Sequence, residues 1–203
     1  KVAIAVARDK KAKAKTDAAL TKAENAVRKI YSEFRTRLSN FRVLDPACGS
    51  GNFLYLTLQH LKDFDLHVLR EAEELELPLH DQCVGPEAML GLEINPYAAE
   101  LARVTLWIGE LQWQLNNNFG ITRAPILGSL NGIRNQDALI NPDGTEAKWP
   151  TVNAVVGNPP FLGNKRMISN LGEEYTQNIR SMFDGRVPGG ADLVTYWFEK
   201  ART

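Results

Sequence analysis

The chain has 203 residues, 44% of them hydrophobic, which is enough for one substantial buried core. Lys and Arg number 24 and so do Asp and Glu, so net charge makes no case for a nucleic-acid partner. Two cysteines supply no disulfide framework and fit a reducing cytosol, no apolar run reaches membrane-spanning length, and His60, His67 and His80 share no metal-ligand spacing.

Charge is unevenly spread. Residues 1–42 hold twelve Lys and Arg against four Asp and Glu, leaving the remainder at −8. Such an arm either touches phosphates or is the solvated face of a helix. The chain opens on Lys1 rather than Met and shows no signal peptide, which reads as a piece of a longer polypeptide.

Residues 1–16 are rich in Ala and Lys and read as a helix start or a tail. From Leu20 to Leu38 the apolar residues Ala23, Val27, Ile30, Tyr31 and Phe34 recur at one-sided helical spacing. Arg42 to Asp45 reads as a short buried strand, followed by a glycine turn and a helix from Asn52 to about Leu69. Pro78 and Gly85-Pro86 mark an inserted acidic loop over 70–88. Met89 to Glu93 is a second strand, and Pro96 opens a helix running to Leu115 and stopped by three asparagines. Residues 119–150 hold turn signals and no long periodic run. Val152 to Val156 is a third strand; helices are expected in part of 165–183 and from Asp192 to Ala201. Strand alternating with helix predicts an α/β fold, doubly wound on a mostly parallel sheet, with a basic N-terminal helical segment (1–39) preceding an α/β domain (40–203).

Three segments carry chemistry. In Asp45-Pro46-Ala47-Cys48-Gly49-Ser50-Gly51-Asn52-Phe53, a strand turns through glycines into a helix, so backbone N–H groups face a ligand. The spacing is not the dinucleotide GxGxxG, and no phosphate-loop lysine follows. Asp45 would repel a pyrophosphate but accept from an ammonium, which favours a cofactor with an amino-acid moiety over a dinucleotide or a nucleoside triphosphate. Glu93 closes the second strand, where an acid can take two ribose hydroxyls, and Ile94 offers a face to a purine. Its distance from the glycines exceeds the usual spacing because of the 70–88 insertion, and a plain surface Glu is the alternative. Asn158-Pro159-Pro160-Phe161 suits an aromatic amine, whose lone pair is delocalised and poorly nucleophilic. The Asn158 side-chain oxygen and the Pro159 carbonyl can accept its two N–H bonds and free the lone pair, proline holding the backbone oxygen in place. Phe161 gives a face for stacking. A proline-capped strand end with a packing Phe is the plainer alternative.

These segments, in this order, resemble the S-adenosylmethionine-dependent DNA methyltransferases that act on the adenine amino group. The fuller wording Phe41-Arg42-Val43-Leu44 and Gly91-Leu92-Glu93-Ile94-Asn95-Pro96-Tyr97-Ala98 is similar to large single-chain bacterial restriction–modification enzymes. The resemblance spans about residues 40–203 and implies a Rossmann-like class I methyltransferase fold. It implies that Asp45, Ala47, Gly49 and Gly51 line the methionine end of S-adenosylmethionine and that Phe53 helps close that pocket. Glu93 would then hold the ribose, Ile94 the adenine ring, and Asp137 the cofactor's adenine amine, an ordinary loop Asp being the alternative. Asn158, Pro159 and Phe161 would receive an adenine flipped out of double-stranded DNA. Direct in-line methyl transfer needs no metal and no covalent intermediate. Lys165 and Arg166 could meet DNA phosphates or simply open a solvated helix.

Two departures accompany the resemblance. The segment that closes the cofactor pocket from the N-terminal side is not recognisable in residues 1–39, and no target-recognition region follows Thr203, so this segment alone is not expected to methylate DNA. Methyltransferases of RNA bases or of a protein glutamine amide carry the same kind of tetrad, and a catalytically silent cofactor-binding module is a further alternative.

Overall fold

The computed structural model describes residues 17–78, 80–118 and 131–202. The described residues fall into two compact units, one within Lys1–Phe41 and His60–Gly85 and the other within Arg42–Gln59 and Pro86–Thr203.

The first unit is helical. Helix α1 (Asp17–Ser39) follows the one-sided spacing read in the sequence. Its Val27 and Tyr31 join Val68, Ala72 and Leu77 in a small apolar core, with Phe34 and Leu75 against it. Val68 and Ala72 belong to α2 (Asn52–Glu74), which runs five residues beyond the expected end at Leu69. Glu71, Glu73 and Glu74 are good helix formers despite their charge, so acidity alone does not end the helix. The loop that follows is tied from below. The buried Asp65 carboxylate pairs with Arg35 and accepts from the backbone N–H of Cys83 (2.7 Å) and Val84 (3.3 Å). Arg35 also donates to the Asp81 carbonyl. Each buried charge is thus met by several partners, and losing one would cost about 3–5 kcal/mol.

The second unit carries the sheet. Strands β1 (Val43–Asp45), β2 (Met89–Glu93), β3 (Ile133–Asn135) and β4 (Ala154–Val155) stand in the order β3-β2-β1-β4. All pairings are parallel, with Leu44 opposite both Leu90 and Val155 and Gly91 opposite Ile133. The chain moves outward from β1 through β2 to β3, then returns to place β4 on β1's other side. The C-terminal ends of β1 and β4 therefore form the topological switch point, where ligands bind in open α/β sheets.

A Pro86–Ala88 turn of 3-10 helix leads into β2, and α3 (Pro96–Asn116) follows it. Asn95 caps α3, its side chain accepting from Tyr97 and Ala98 N–H, and proline occupies the first turn as the sequence requires. Helices α4 (Asn164–Leu171) and α5 (Glu173–Met182) are separated at Gly172, whose φ of +88° breaks the helical run. Helix α6 (Val194–Arg202) ends the described chain. The main core joins Leu44 and Leu92 of the sheet to Met167, Ile179, Tyr196 and Trp197 of the later helices and to Phe183, which caps α5. Phe183 and Tyr196 meet edge to face at 5.2 Å.

Strand β3 is the element that periodicity missed. Of its three residues only Ile133 is buried, and Arg134 and Asn135 are exposed, so no apolar pattern announces it. The third expected strand, Val152 to Val156, is regular only at Ala154–Val155. β4 lies at the edge of this sheet, and Val155 is 38% exposed.

Candidate functional site

Parallel strands place their C-terminal residues together, and here those residues are polar. Asp45 ends β1, Glu93 ends β2, the Asp137 loop follows β3 and Asn158 follows β4. The glycine turn after β1 is a rigid bracket. Cys48 N–H donates to the Leu92 carbonyl (3.0 Å), Gly51 N–H to the Cys48 carbonyl (2.8 Å), and Gly49 N–H to Glu93 Oε2 (2.9 Å). Gly49 and Gly51 adopt φ of +53° and +87°, and a β-carbon on Gly51 would stand 3.0 Å from Ala102 Cα. Glycine is required at Gly51 by backbone and by space together. Ala47, between Asp45 and the glycines, is half-buried and packs against the main core.

Helix α2 begins directly beyond this turn. Its first N–H groups have no intrahelical acceptor, and Gly51 offers no side chain to cap them. This end of α2 presents donors and a positive dipole end to whatever lies above the turn.

Asp45 supplies the opposite polarity. It is 1% exposed, and its Oδ1 accepts from Ala47 N–H at 3.0 Å. Its Oδ2 is buried and has no partner. Burial pushes the carboxyl up to about 6, the Ala47 bond opposing and the Glu93 carboxylate adding to the shift. An anionic oxygen buried without a donor is costly, so this atom calls for a bound cation or a proton.

Glu93 is held by its own loop. Oε2 accepts from Gly49 and Oε1 from Asn95 N–H at 2.8 Å. A carboxylate offers about four acceptor positions; the two that remain suit a pair of neighbouring hydroxyls. Ile94 beside it is 67% exposed. Asn135 steadies this corner, its amide donating to the Glu93 and Ile94 carbonyls at 2.8 and 3.0 Å. Phe53, on the first turn of α2, is 48% exposed.

Asp137 is more occupied. Oδ1 accepts from Leu139 N–H (2.7 Å) and Ile140 N–H (3.3 Å), and Oδ2 from the Tyr175 hydroxyl (2.7 Å). One acceptor position remains. Burial and the adjoining Asp137 carboxylate push the Tyr175 hydroxyl well above its ordinary range, so it stays a donor.

The Asn158 segment is anchored at both ends and open between them. Val156 N–H donates to the Leu44 carbonyl at 2.9 Å. At the far end Leu162 N–H donates to Asp192 Oδ1 (3.0 Å), and Leu193 N–H returns to the Leu162 carbonyl (3.0 Å). Asn158 is exposed, Pro159 half-buried, and Phe161 69% exposed. Gly157 has φ +143° and lies against Asp45: a β-carbon there would overlap Oδ1 and stand 2.9 Å from Cγ. Lys165 and Arg166, in the first turn of α4, are exposed.

Sequence reasoning named the strand-end residues but missed Gly157, Tyr175 and Asp192 as their supports. Asp192 could have been found as an Asp just ahead of a helix. Nothing local marks Tyr175, which reaches Asp137 from 38 residues away. Cys48, inside the turn, is 6% exposed, and burial pushes its thiol up to about 12, so it packs rather than reacts. Among the described residues no cluster of His, Cys, Asp and Glu could hold a metal ion, and no helix is long and apolar enough to cross a membrane. A groove of about 890 Å³ lies elsewhere, between Glu146–Val155 and Lys200–Arg202, and includes none of these site residues.

Known proteins resemble this chain as a whole. DNA methyltransferase A of Bacillus subtilis (strain 168) is 32% identical over 180 residues, covering 80% of this chain and 19% of that protein. The solved structure of the Type IIL restriction–modification enzyme MmeI in complex with DNA superposes over 98% of this chain and 26% of its own, with a TM-score of 0.64 and 24% identity, which shows a shared fold. The chain thus spans about a fifth to a quarter of the length of these relatives. Residues 20–203 match the family described as MmeI, DNA-methyltransferase domain, and the chain belongs to that family.

Proposed function

We propose that this chain forms the catalytic part of a restriction–modification enzyme that methylates the exocyclic amine of adenine in double-stranded DNA, with S-adenosylmethionine as donor. The observation that carries the reading is the Asp45 oxygen, buried and unpartnered at the switch point and one loop away from Asn158. A zwitterionic amino acid suits the two polarities there: ammonium at Asp45, carboxylate at the N-terminus of α2. Two free acceptor positions on Glu93 fit the ribose hydroxyls, Ile94 gives the cofactor's adenine an apolar face, and the last position on Asp137 fits an adenine amine. Ala47, Gly49 and Gly51 line the methionine end, and Phe53 closes over it.

When bound, S-adenosylmethionine supplies a methyl group on a positively charged sulfur. Asn158 and Pro159 direct two carbonyl oxygens at the N–H bonds of the target amine. Those acceptors draw the nitrogen out of conjugation with its ring and stabilise the charge that develops on it. Phe161 stacks on the extruded base, a contact worth about 1–3 kcal/mol by alanine substitution in comparable sites. Orientation by these groups supplies most of the acceleration. DNA as acceptor is supported by the name of the B. subtilis relative and by the DNA complex of MmeI. Lys165 and Arg166 are assigned to backbone phosphates beside the flipped base, and sequence readout to a target-recognition region outside residues 20–203.

The test is nucleoside mass spectrometry on DNA from cells making the intact protein or its Asn158→Ala variant. New N6-methyladenine with the first and none with the second is expected. Unmodified DNA with both, while the protein is folded and binds S-adenosylmethionine, would move the acceptor to RNA or a protein amide. Cofactor binding with no methylated acceptor of any class would leave the silent cofactor-binding module, and absence of cofactor binding would overturn the proposal.

A further inference from the structure

Gly157 is not one of the residues to which the proposed reaction assigns a role. Its position between β4 and Asn158 would ordinarily be explained as strand termination. Two features say more. Its φ of +143° lies where residues with side chains are strained. Its α-carbon also faces the carboxyl group of Asp45 so closely that a methyl there would overlap Oδ1, and would stand 2.9 Å from Cγ and 3.2 Å from Oδ2. At these distances no water fits between them, and Asp45 is 1% exposed. The backbone leading to the acceptor loop is therefore the wall against which the carboxylate is seated.

That wall completes a cage. Ala47 N–H fixes Oδ1 from the turn side, and Oδ2, with no partner, is the one oxygen left for a ligand. Among the described residues no other hydrogen bond fixes the direction of Oδ2, because Oδ1 has a single hydrogen bond about which the carboxyl could turn. On the other side of the same contact, Gly157 is covalently next to Asn158, and among the described residues the segment's hydrogen bonds are those of Val156 before it and Leu162 after it.

Resting on the reading above, we infer that Gly157 is a positioning residue: its bare α-carbon seats the Asp45 carboxylate against the acceptor loop, so the cation held by Asp45 and the amine held by Asn158 share one support. The missing side chain is the functional feature. A methyl at this position turns Oδ2 away from the ammonium and leaves the rest of the cofactor crib in place.

A double-mutant cycle on the full-length protein tests this. Gly157→Ala, Asp45→Ala and the double variant are titrated calorimetrically with S-adenosylhomocysteine and with 5′-methylthioadenosine, which has the nucleoside and sulfur but no amino acid. The backbone penalty of alanine at φ +143° is common to both backgrounds and cancels in the cycle. Gly157→Ala should weaken S-adenosylhomocysteine roughly tenfold in the native background and about twofold or less beside Asp45→Ala. Methylthioadenosine should bind all four proteins alike, a selectivity that mere loss of folding would not produce. Should Gly157→Ala unfold the protein, the melting temperature carries the cycle instead, and Asp45→Ala should recover part of the loss. Equal loss in both backgrounds, or no loss in either, overturns the inference. If the native protein shows no preference for S-adenosylhomocysteine over methylthioadenosine, the cofactor reading itself fails.

Discussion

The glycine turn after β1 and the Asn158 segment after β4 leave adjoining ends of one parallel sheet, yet they are built differently. Every residue from Val43 to Asp45 is buried, and the turn beyond is bonded to β2 through Cys48 and Gly49. The Asn158 segment instead exposes Asn158 and Phe161 and, among the described residues, is hydrogen-bonded at its two ends. On the proposed function this difference follows from what each half meets. A small cofactor of constant shape is best held by groups already fixed in place, which removes the ordering cost of binding. A base pulled from a duplex brings its own bulk, and a stacking ring such as Phe161 must be open to receive it. One half is preorganised by the protein, and the other is completed by its substrate.

The comparison can be broken at either end. The largest effect is expected from Asn158→Ala, which removes one of two acceptors from the amine. Turnover should fall by about 10²–10³, with S-adenosylhomocysteine affinity unchanged in a binding assay. Asp45→Ala should do the reverse, lowering cofactor affinity by about 100-fold through loss of a buried ammonium partner, as read by calorimetry. Phe161→Ala should weaken productive DNA binding by about 1–3 kcal/mol, seen as a raised KM for DNA and no change for the cofactor.

A smaller, graded effect comes from pH. The Asp45 carboxyl lies near 6 in the unliganded protein, and only its ionised form pairs with an ammonium. Cofactor binding pulls that value down, so a proton is released on binding. Affinity should be level above about pH 6 and fall below it by up to roughly tenfold per pH unit. Measuring the dissociation constant from pH 5 to 8 checks this, and Asp45→Ala should flatten the profile.

Much of this was legible from residue order. Asp45, Gly49, Gly51, Glu93 and Asn158 sit at strand ends because parallel strands bring such ends together, and the hydrophobic runs located β1 and β2 directly. The α/β class followed from strand alternating with helix, α1 from one-sided apolar spacing, and α3 from Pro96 at its start and the asparagines at its end. Strand β3 did not, since a three-residue strand with two exposed side chains carries no pattern. The supports of the site were also hidden. Tyr175 on Asp137 and Asp192 on Leu162 are contacts across 38 and 30 residues, made by tertiary packing rather than local spacing. The closeness of Gly157 to Asp45 was hidden as well, because it depends on the pairing of β1 with β4.

The most direct test of the two-halves account is one calorimetric series with S-adenosylhomocysteine and no DNA, on the intact native protein, Asn158→Ala and Asp45→Ala. The account predicts equal, saturable binding to the native and Asn158→Ala proteins and a loss of about 100-fold with Asp45→Ala. Binding that disappears with Asn158→Ala, or survives Asp45→Ala undiminished, would contradict it.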